Sequence, residues 1–198
     1  MEQRTSYPRA IRPPRVPASK PAPAANVPDA QQGRERFTFF WQGPFSQWYP
    51  SRFEVDGVTY SHAEQYMMAE KARLFGDGEV LRMILSAKTP KEQKAMGRKV
   101  RGFDESLWNS MAKEIVKRGN IAKFSQNPDL LEKLLSTDGT TLVEASPYDT
   151  IWGIGLRADD PLAEDRATWR GSNWLGEILT EVREELRLVC DPFHTLRC

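Results

Sequence analysis

Ser61-His62-Ala63-Glu64-Gln65-Tyr66-Met67-Met68-Ala69-Glu70-Lys71-Ala72-Arg73-Leu74-Phe75 reads as one helix with two charges on the wrong side. At about 100° per residue, Ala63, Met67, Met68, Ala72, Leu74 and Phe75 share a broad apolar arc. His62, Gln65, Tyr66, Ala69, Glu70 and Arg73 take the opposite side. Glu64 and Lys71 fall near the middle of the apolar arc, two turns and roughly 10 Å apart. An ionised group pressed into an apolar face is costly unless it is paired or faces a polar cavity. The pair therefore marks a candidate pocket floor. Two plainer readings stand beside it. Ser61-x-x-Glu64 has the form of a capping box, and Lys71 could lay its stem on apolar surface with its amine in water.

Outward from this helix, the totals narrow the choices. The chain has 198 residues and a net charge of +1, enough for one domain with a real core. That charge carries no global footprint for nucleic acid or an anionic membrane, so extended nucleic-acid binding is not expected. No apolar run approaches the ~20 residues that span a bilayer, and no secretory leader is evident. The two cysteines, Cys190 and Cys198, offer neither a disulfide framework nor a metal spacing, so a reducing, cytoplasmic setting is the default. With only His62 and His194, chemistry must lean on carboxylates, lysine, arginine or aromatics, and no metal site is expected.

Residues 1–34 hold seven prolines and six basic against two acidic residues. Such a segment buries too little surface to offset its ordering entropy, and it is read as a disordered tail. A domain over 35–189 follows, then a short tail over 190–198. Arg36 to Trp41 is a strand signal rich in aromatics. Gly43 to Pro50 is an aromatic loop of the kind that lines binding sites, with Trp48 a candidate for that role, and local packing under the loop is the equal alternative. Arg52 to Tyr60 is a hairpin turning on Asp56-Gly57. Beyond the central helix, Gly76-Asp77-Gly78 is a break, Glu79 to Ala87 a helix, and Thr89-Pro90-Lys91-Glu92 a capped start of another. Gly97 inside that helix predicts the close approach of another backbone, with Arg98 beside it. Asp104 caps a long helix through Phe124, Asn127-Pro128 starts a shorter one, and Thr141 to Ala145 is a strand.

Ser146-Pro147-Tyr148-Asp149-Thr150-Ile151-Trp152-Gly153-Ile154-Gly155 is the second informative stretch. An acid, an indole and two glycines follow a strand. Glycine lets backbone approach a ligand, and Trp152 could stack on a ring; equally, this is a core tryptophan beside an Asp-capped turn. Arg157 to Arg170 reads as a charged loop, and Ser172 or Asn173 caps the last helix.

Ala63-Glu64-Gln65-Tyr66 with Lys71, Met96-Gly97-Arg98, Leu142-Val143-Glu144, Asp149, Trp152-Gly153-x-Gly155, and Asn173-x-Leu175-Gly176 with Arg183 together resemble the NADAR (YbiA-like) family over about Phe37 to Leu186. The resemblance implies a compact, mainly helical α+β domain with a small sheet or hairpin. It implies cleavage of an N-glycosidic bond, either in ribosylaminopyrimidine intermediates of riboflavin biosynthesis or in ADP-ribosylated guanine, with no cofactor. The alternative is a module that binds ADP-ribose or a nucleotide without hydrolysing it. By motif, Glu64, Lys71 and Asp149 become catalytic candidates, and Trp152, Gly153, Asn173 and Arg98 join Trp48 as candidate substrate-binding residues. Lys71 is then either a Schiff-base nucleophile or a charged anchor. Gln47 stands where many relatives carry Asn, and the loop from Arg157 to Arg170 is longer than in short bacterial members.

Overall fold

The computed structural model describes residues 35–190. The expected tail over 1–34, and the C-terminal tail from 191 onward, lie outside the described residues. The order of elements is β1 (Phe37–Phe40), β2 (Phe53–Val55), β3 (Val58–Tyr60), α1 (Ala63–Leu74), α2 (Gly78–Ser86), α3 (Pro90–Gly97), α4 (Glu105–Ser125), α5 (Pro128–Leu135), β4 (Thr141–Glu144) and α6 (Trp174–Cys190). Mainly helical α+β architecture is what the sequence led one to expect.

The hairpin forms as its turn residues dictate. Asp56 and Gly57 take φ of 52° and 75°, as a type I′ turn needs, and β2 pairs antiparallel with β3. β1 instead pairs parallel with β4, Phe40 opposite Glu144, which brings residues a hundred positions apart side by side. The chain leaves both strands at the same end of this pair, with Trp41 following one and Ala145-Ser146 the other.

α1 is the hub, packed against α2, α3 and α4. The one-sided wheel is corrected here: Gln65, Tyr66, Ala69 and His62 are as buried as the apolar arc, because neighbours cover the helix on several sides. Gln65 survives burial by satisfying its amide. Oε1 accepts from the Ser61 backbone N–H and hydroxyl at 2.8 and 3.0 Å, and Nε2 donates to the carbonyls of Ile84 and Leu85. The capping-box reading of Ser61 and Glu64 is corrected too. Gln65, not Glu64, reaches back to the Ser61 N–H, and His62 precedes the helix without a side-chain cap. The box at Thr89 and Glu92 does form.

Gly97 meets a close neighbour, but the expected approach of another backbone is corrected. A Cβ there would lie 2.0 Å from the Met68 sulfur of α1, so the neighbour is a side chain rather than a backbone. Gly119 of α4 plays the same part against the Tyr66 ring, at 2.4 Å. The segment from Arg157 to Arg170 is more than a loop. It makes two 3₁₀ turns, Pro161–Glu164 and Arg166–Thr168, and closes a satellite core of Val143, Ala145, Ile154, Leu156 and Ala163 under Trp169. The Trp169 indole donates to the Ala163 carbonyl at 2.9 Å.

Candidate active site

Parallel strands tend to present ligand sites beyond their carboxyl ends, and the β1–β4 pair does so here. A cavity of about 620 Å³ opens at that end. Trp41, Gln42 and Gly43 leave β1 into its wall, and Glu144, Ser146, Tyr148 and Asp149 come from β4 and its exit. Ser46, Trp48, Tyr49 and Pro50 supply the loop side, while Lys94 and Arg98 enter from α3. That volume lies well inside the range of small-molecule sites.

Glu64 sits behind this wall with 3 % of its surface exposed. Its Oε1 has no hydrogen-bond partner. Burial pushes its carboxyl above the ordinary 4.5; the nearby Lys94, Trp48 and Arg98 offset only part of that, and the Asp149 charge adds to it. Glu144, on the cavity wall, is pushed up to about 7 by burial, then by the charges of Asp149 and Glu64, against a pull from Lys94. Its Oε2 is also sealed and unpartnered. Two carboxyls that sense each other, both raised by burial, are the kind of pair from which acid–base chemistry is built.

The strand exit is held rigidly. Asp149 Oδ1 accepts from the backbone N–H groups of Ile151 and Trp152 at 2.9 and 2.7 Å, so this oxygen belongs to a turn while the residue still lines the cavity. Asn173 takes φ of 52° and turns its amide onto β4. Oδ1 accepts from the Glu144 N–H at 2.9 Å and Nδ2 donates to the Leu142 carbonyl at 3.0 Å. Asn173 thus fixes the backbone of Glu144 instead of capping α6 by its side chain. Gly153 lies against the same strand, where a Cβ would stand 2.8 Å from the Glu144 carbonyl; the close approach it permits is to the protein's own backbone. Trp152 packs with the main core, its ring edge-on to Trp174 at 5.6 Å.

Among the residues singled out from the sequence, Asp149, Arg98 and Trp48 therefore line the cavity, and Glu64 lies directly behind it. Trp152, Gly153 and Asn173 form the support beneath. Lys71 is placed apart: its Nζ lies 4.0 Å over the Phe103 ring and 5.6 Å from that of Trp108. Desolvation lowers its pKa, and the neighbouring Arg98 charge adds to this. Glu144, Lys94, Trp41 and Tyr148 were not among the candidate site residues. Glu144 had a signal, an acid inside the apolar run Leu142-Val143-Glu144-Ala145, and Lys94 had one as well, one helical turn before Arg98. Among the described residues, no cluster of His, Cys, Asp or Glu could hold a metal ion, and no helix is long and apolar enough to cross a membrane.

This is a small α+β domain in which Glu144 and Asp149 share one cavity with Lys94, Arg98 and several aromatic rings, with Glu64 buried nearby. The chain belongs to the NADAR domain family, whose model matches residues 39–187. It is 46 % identical over 146 residues to N-glycosidase R617 of Acanthamoeba polyphaga mimivirus, covering 71 % of this chain and 86 % of that protein. It is 32 % identical over 156 residues to the chloroplastic riboflavin biosynthesis protein PYRR of Zea mays, covering 73 % of this chain but only 23 % of that longer protein. Its fold matches the NMR structure of the E. coli protein YbiA with a TM-score of 0.65 at 26 % identity, covering 84 % of this chain and 90 % of that one.

Proposed function

We propose that the protein is an N-glycosidase that hydrolyses the bond between a ribose and a base in a phosphate-bearing substrate. The observation that carries this is the pair of buried carboxyls with unpartnered oxygens, Glu64 and Glu144, set against Lys94 and Arg98 at one cavity. Breaking a ribosyl C–N bond develops positive charge at the anomeric carbon, as in the oxocarbenium-like state of glycoside hydrolysis. Glu64, desolvated and short of hydrogen bonds, stabilises that charge once ionised, and preorganised electrostatics of this kind supply large rate terms. Glu144, titrating near 7, is poised to hand a proton to the departing base. Burial raises both carboxyls, and the Asp149 charge adds to it. Lys94 and Arg98 complement phosphate oxygens. A module that only bound nucleotides would gain nothing from sealing two carboxyls away from water.

Two substrates meet this chemistry: the ribosylaminopyrimidine phosphates of riboflavin biosynthesis, and ADP-ribosylated guanine. The cavity mouth favours the second. Trp41, Trp48 and Tyr148 stand 42 %, 43 % and 85 % exposed around it, more ring surface than a single pyrimidine would use and well suited to stacking a second base. Similarity to the maize riboflavin protein, of which the chain spans about a quarter, supports the first. Incubation with ADP-ribosylated guanosine and, separately, with ribosylaminouracil phosphate, followed by chromatography of the released base, tests the reading. Release from ADP-ribosylated guanosine is expected to be the faster. Tight binding with no base released from either substrate would leave a binding module.

A further inference from the structure

Lys123 has none of its surface exposed, the deepest cation in the protein among the described residues, and the hydrolytic chemistry does not use it. Burying an amine so completely is expensive unless it does something in return. It sits near the end of α4, with the Phe124 ring 5.0 Å from Nζ. The side chain has one hydrogen bond, donated by Nζ to the Ser46 carbonyl at 3.0 Å. Among the described residues, no carboxylate pairs with it. The one titratable neighbour whose behaviour registers its presence is the buried His62, depressed by desolvation and then by Lys123.

Ser46 is the apex of the loop that forms one side of the cavity. Its carbonyl also accepts from the Tyr49 N–H at 3.2 Å, and its hydroxyl accepts from the Trp48 N–H at 3.2 Å. The next residue, Gln47, turns its carbonyl to the Glu64 N–H at 3.0 Å. Glu64 lies in the first turn of α1, and its backbone is tied to the loop by this one bond. One bond from α4 thus fixes a turn, and the next residue along it holds the Glu64 backbone.

We propose that Lys123 is a positioning residue: by holding the Ser46 carbonyl from inside the core, it sets the loop Gly43–Pro50, and through the Gln47 carbonyl it sets the Glu64 backbone. An apolar side chain of similar length would fill the same space without the cost of burying an amine. Conformational stability and catalytic geometry should therefore separate at this position. The proposal rests on the reading of the cavity as hydrolytic, but one arm of its test does not.

Lys123→Met and Lys123→Gln in the full chain provide the test. For Lys123→Met the thermal midpoint is expected at or above that of the parent, while kcat for base release falls roughly 10²-fold, the scale of a 1 Å misplacement at a catalytic group. KM should move by no more than a few-fold. Lys123→Gln, which keeps a donor, should recover part of kcat. Independently of any substrate, amide hydrogen exchange at Tyr49 and Glu64 should quicken about tenfold or more in Lys123→Met, while the far end of α1 stays protected. A midpoint lowered in step with a kcat unchanged per folded molecule would make Lys123 a packing element and overturn the proposal. So would unchanged exchange at Tyr49 and Glu64. A parent protein inactive on every candidate substrate defeats the hydrolytic reading, and the exchange arm then decides the clamp alone.

Discussion

The two ends of α1 carry opposite charges on the same stripe and meet opposite fates. Glu64, in the first turn, is sealed to 3 % exposure, with an oxygen that bonds to nothing and a pKa pushed up by burial. Lys71, two turns on, is only half-buried and rests its amine on the faces of Phe103 and Trp108. Ring faces stabilise a cation, so the lysine keeps a partner for its charge, while the carboxylate is left needing one. A group kept short of partners in the resting protein is the one with most to offer a developing positive charge. The carboxylate end is therefore where chemistry is expected to concentrate, with the lysine end in support.

Glu64→Gln breaks the comparison hardest. Base release should fall by roughly 10²–10³-fold or more, the scale set by loss of preorganised electrostatic stabilisation, with the fold intact. Stability supplies a second readout. The folded pKa of Glu64 lies above its ordinary 4.5, so the folded state holds that proton more tightly than the unfolded chain. Parent stability consequently falls as pH rises from about the unfolded value through the folded one. Glutamine has no proton to lose. The variant's advantage in melting temperature should be absent in acid and widen toward neutral pH. A variant that melts lower at pH 7 and keeps its activity would return Glu64 to a purely structural role.

Glu144→Gln tests whether the acid end is one residue or two. A carboxyl raised to about 7 is half-protonated near neutral pH, so a general acid there makes kcat decline as pH rises past that point. The variant should lose about 10²-fold at pH 6 and lose the alkaline decline with it. A decline that survives the substitution would move the acid role to another group.

How much of this was legible beforehand follows the same division. The inward stripe of Glu64 and Lys71 could be read from period alone, because two charges at a spacing of seven on an apolar arc stand out in any wheel. The Asp56-Gly57 turn and the Thr89 cap were legible because local chemistry decides them. The burial of Gln65 and Tyr66 was not, since a wheel assumes one covered face and α1 is covered on several. The roles of Asn173 and Gly153 as supports for Glu144 were hidden for another reason. They depend on a strand about thirty residues away in sequence for Asn173, and on a turn folding back flat on β4 for Gly153. The parallel pairing of β1 with β4, which places Trp41 beside Tyr148 at 5.9 Å between ring centroids, likewise joins segments whose patterns carry no mark of each other. Lys123 was hidden inside a helix whose apolar stripe gave no reason to look at it.

Lys71→Ala sharpens the comparison from the other end. A charged support contributes less than a desolvated carboxylate, and a loss of about tenfold in turnover is expected, smaller than for Glu64→Gln. Borohydride added during turnover separates the two roles the residue could play. Any trapped adduct should map to Lys71 and not to Lys123, because Lys71 reaches solvent and Lys123 does not. An adduct on Lys123 would mean that the Gly43–Pro50 loop opens during the reaction.

The smallest effect belongs to Tyr66, whose buried hydroxyl also lacks a partner but whose ring faces Gly119, Tyr60 and Phe53 and not the cavity. If unpartnered polar atoms on α1 matter only where they face the site, Tyr66→Phe should leave kcat and KM unchanged. It should raise stability by about 1 kcal/mol, the lower end of what an unsatisfied buried group costs, measured by denaturant midpoint at constant slope. Loss of activity in this variant would blur the contrast, since a second strained group on the helix would then be feeding the site from behind. Unchanged activity with a small gain in stability would leave Glu64 as the orphan whose cost is tied to function.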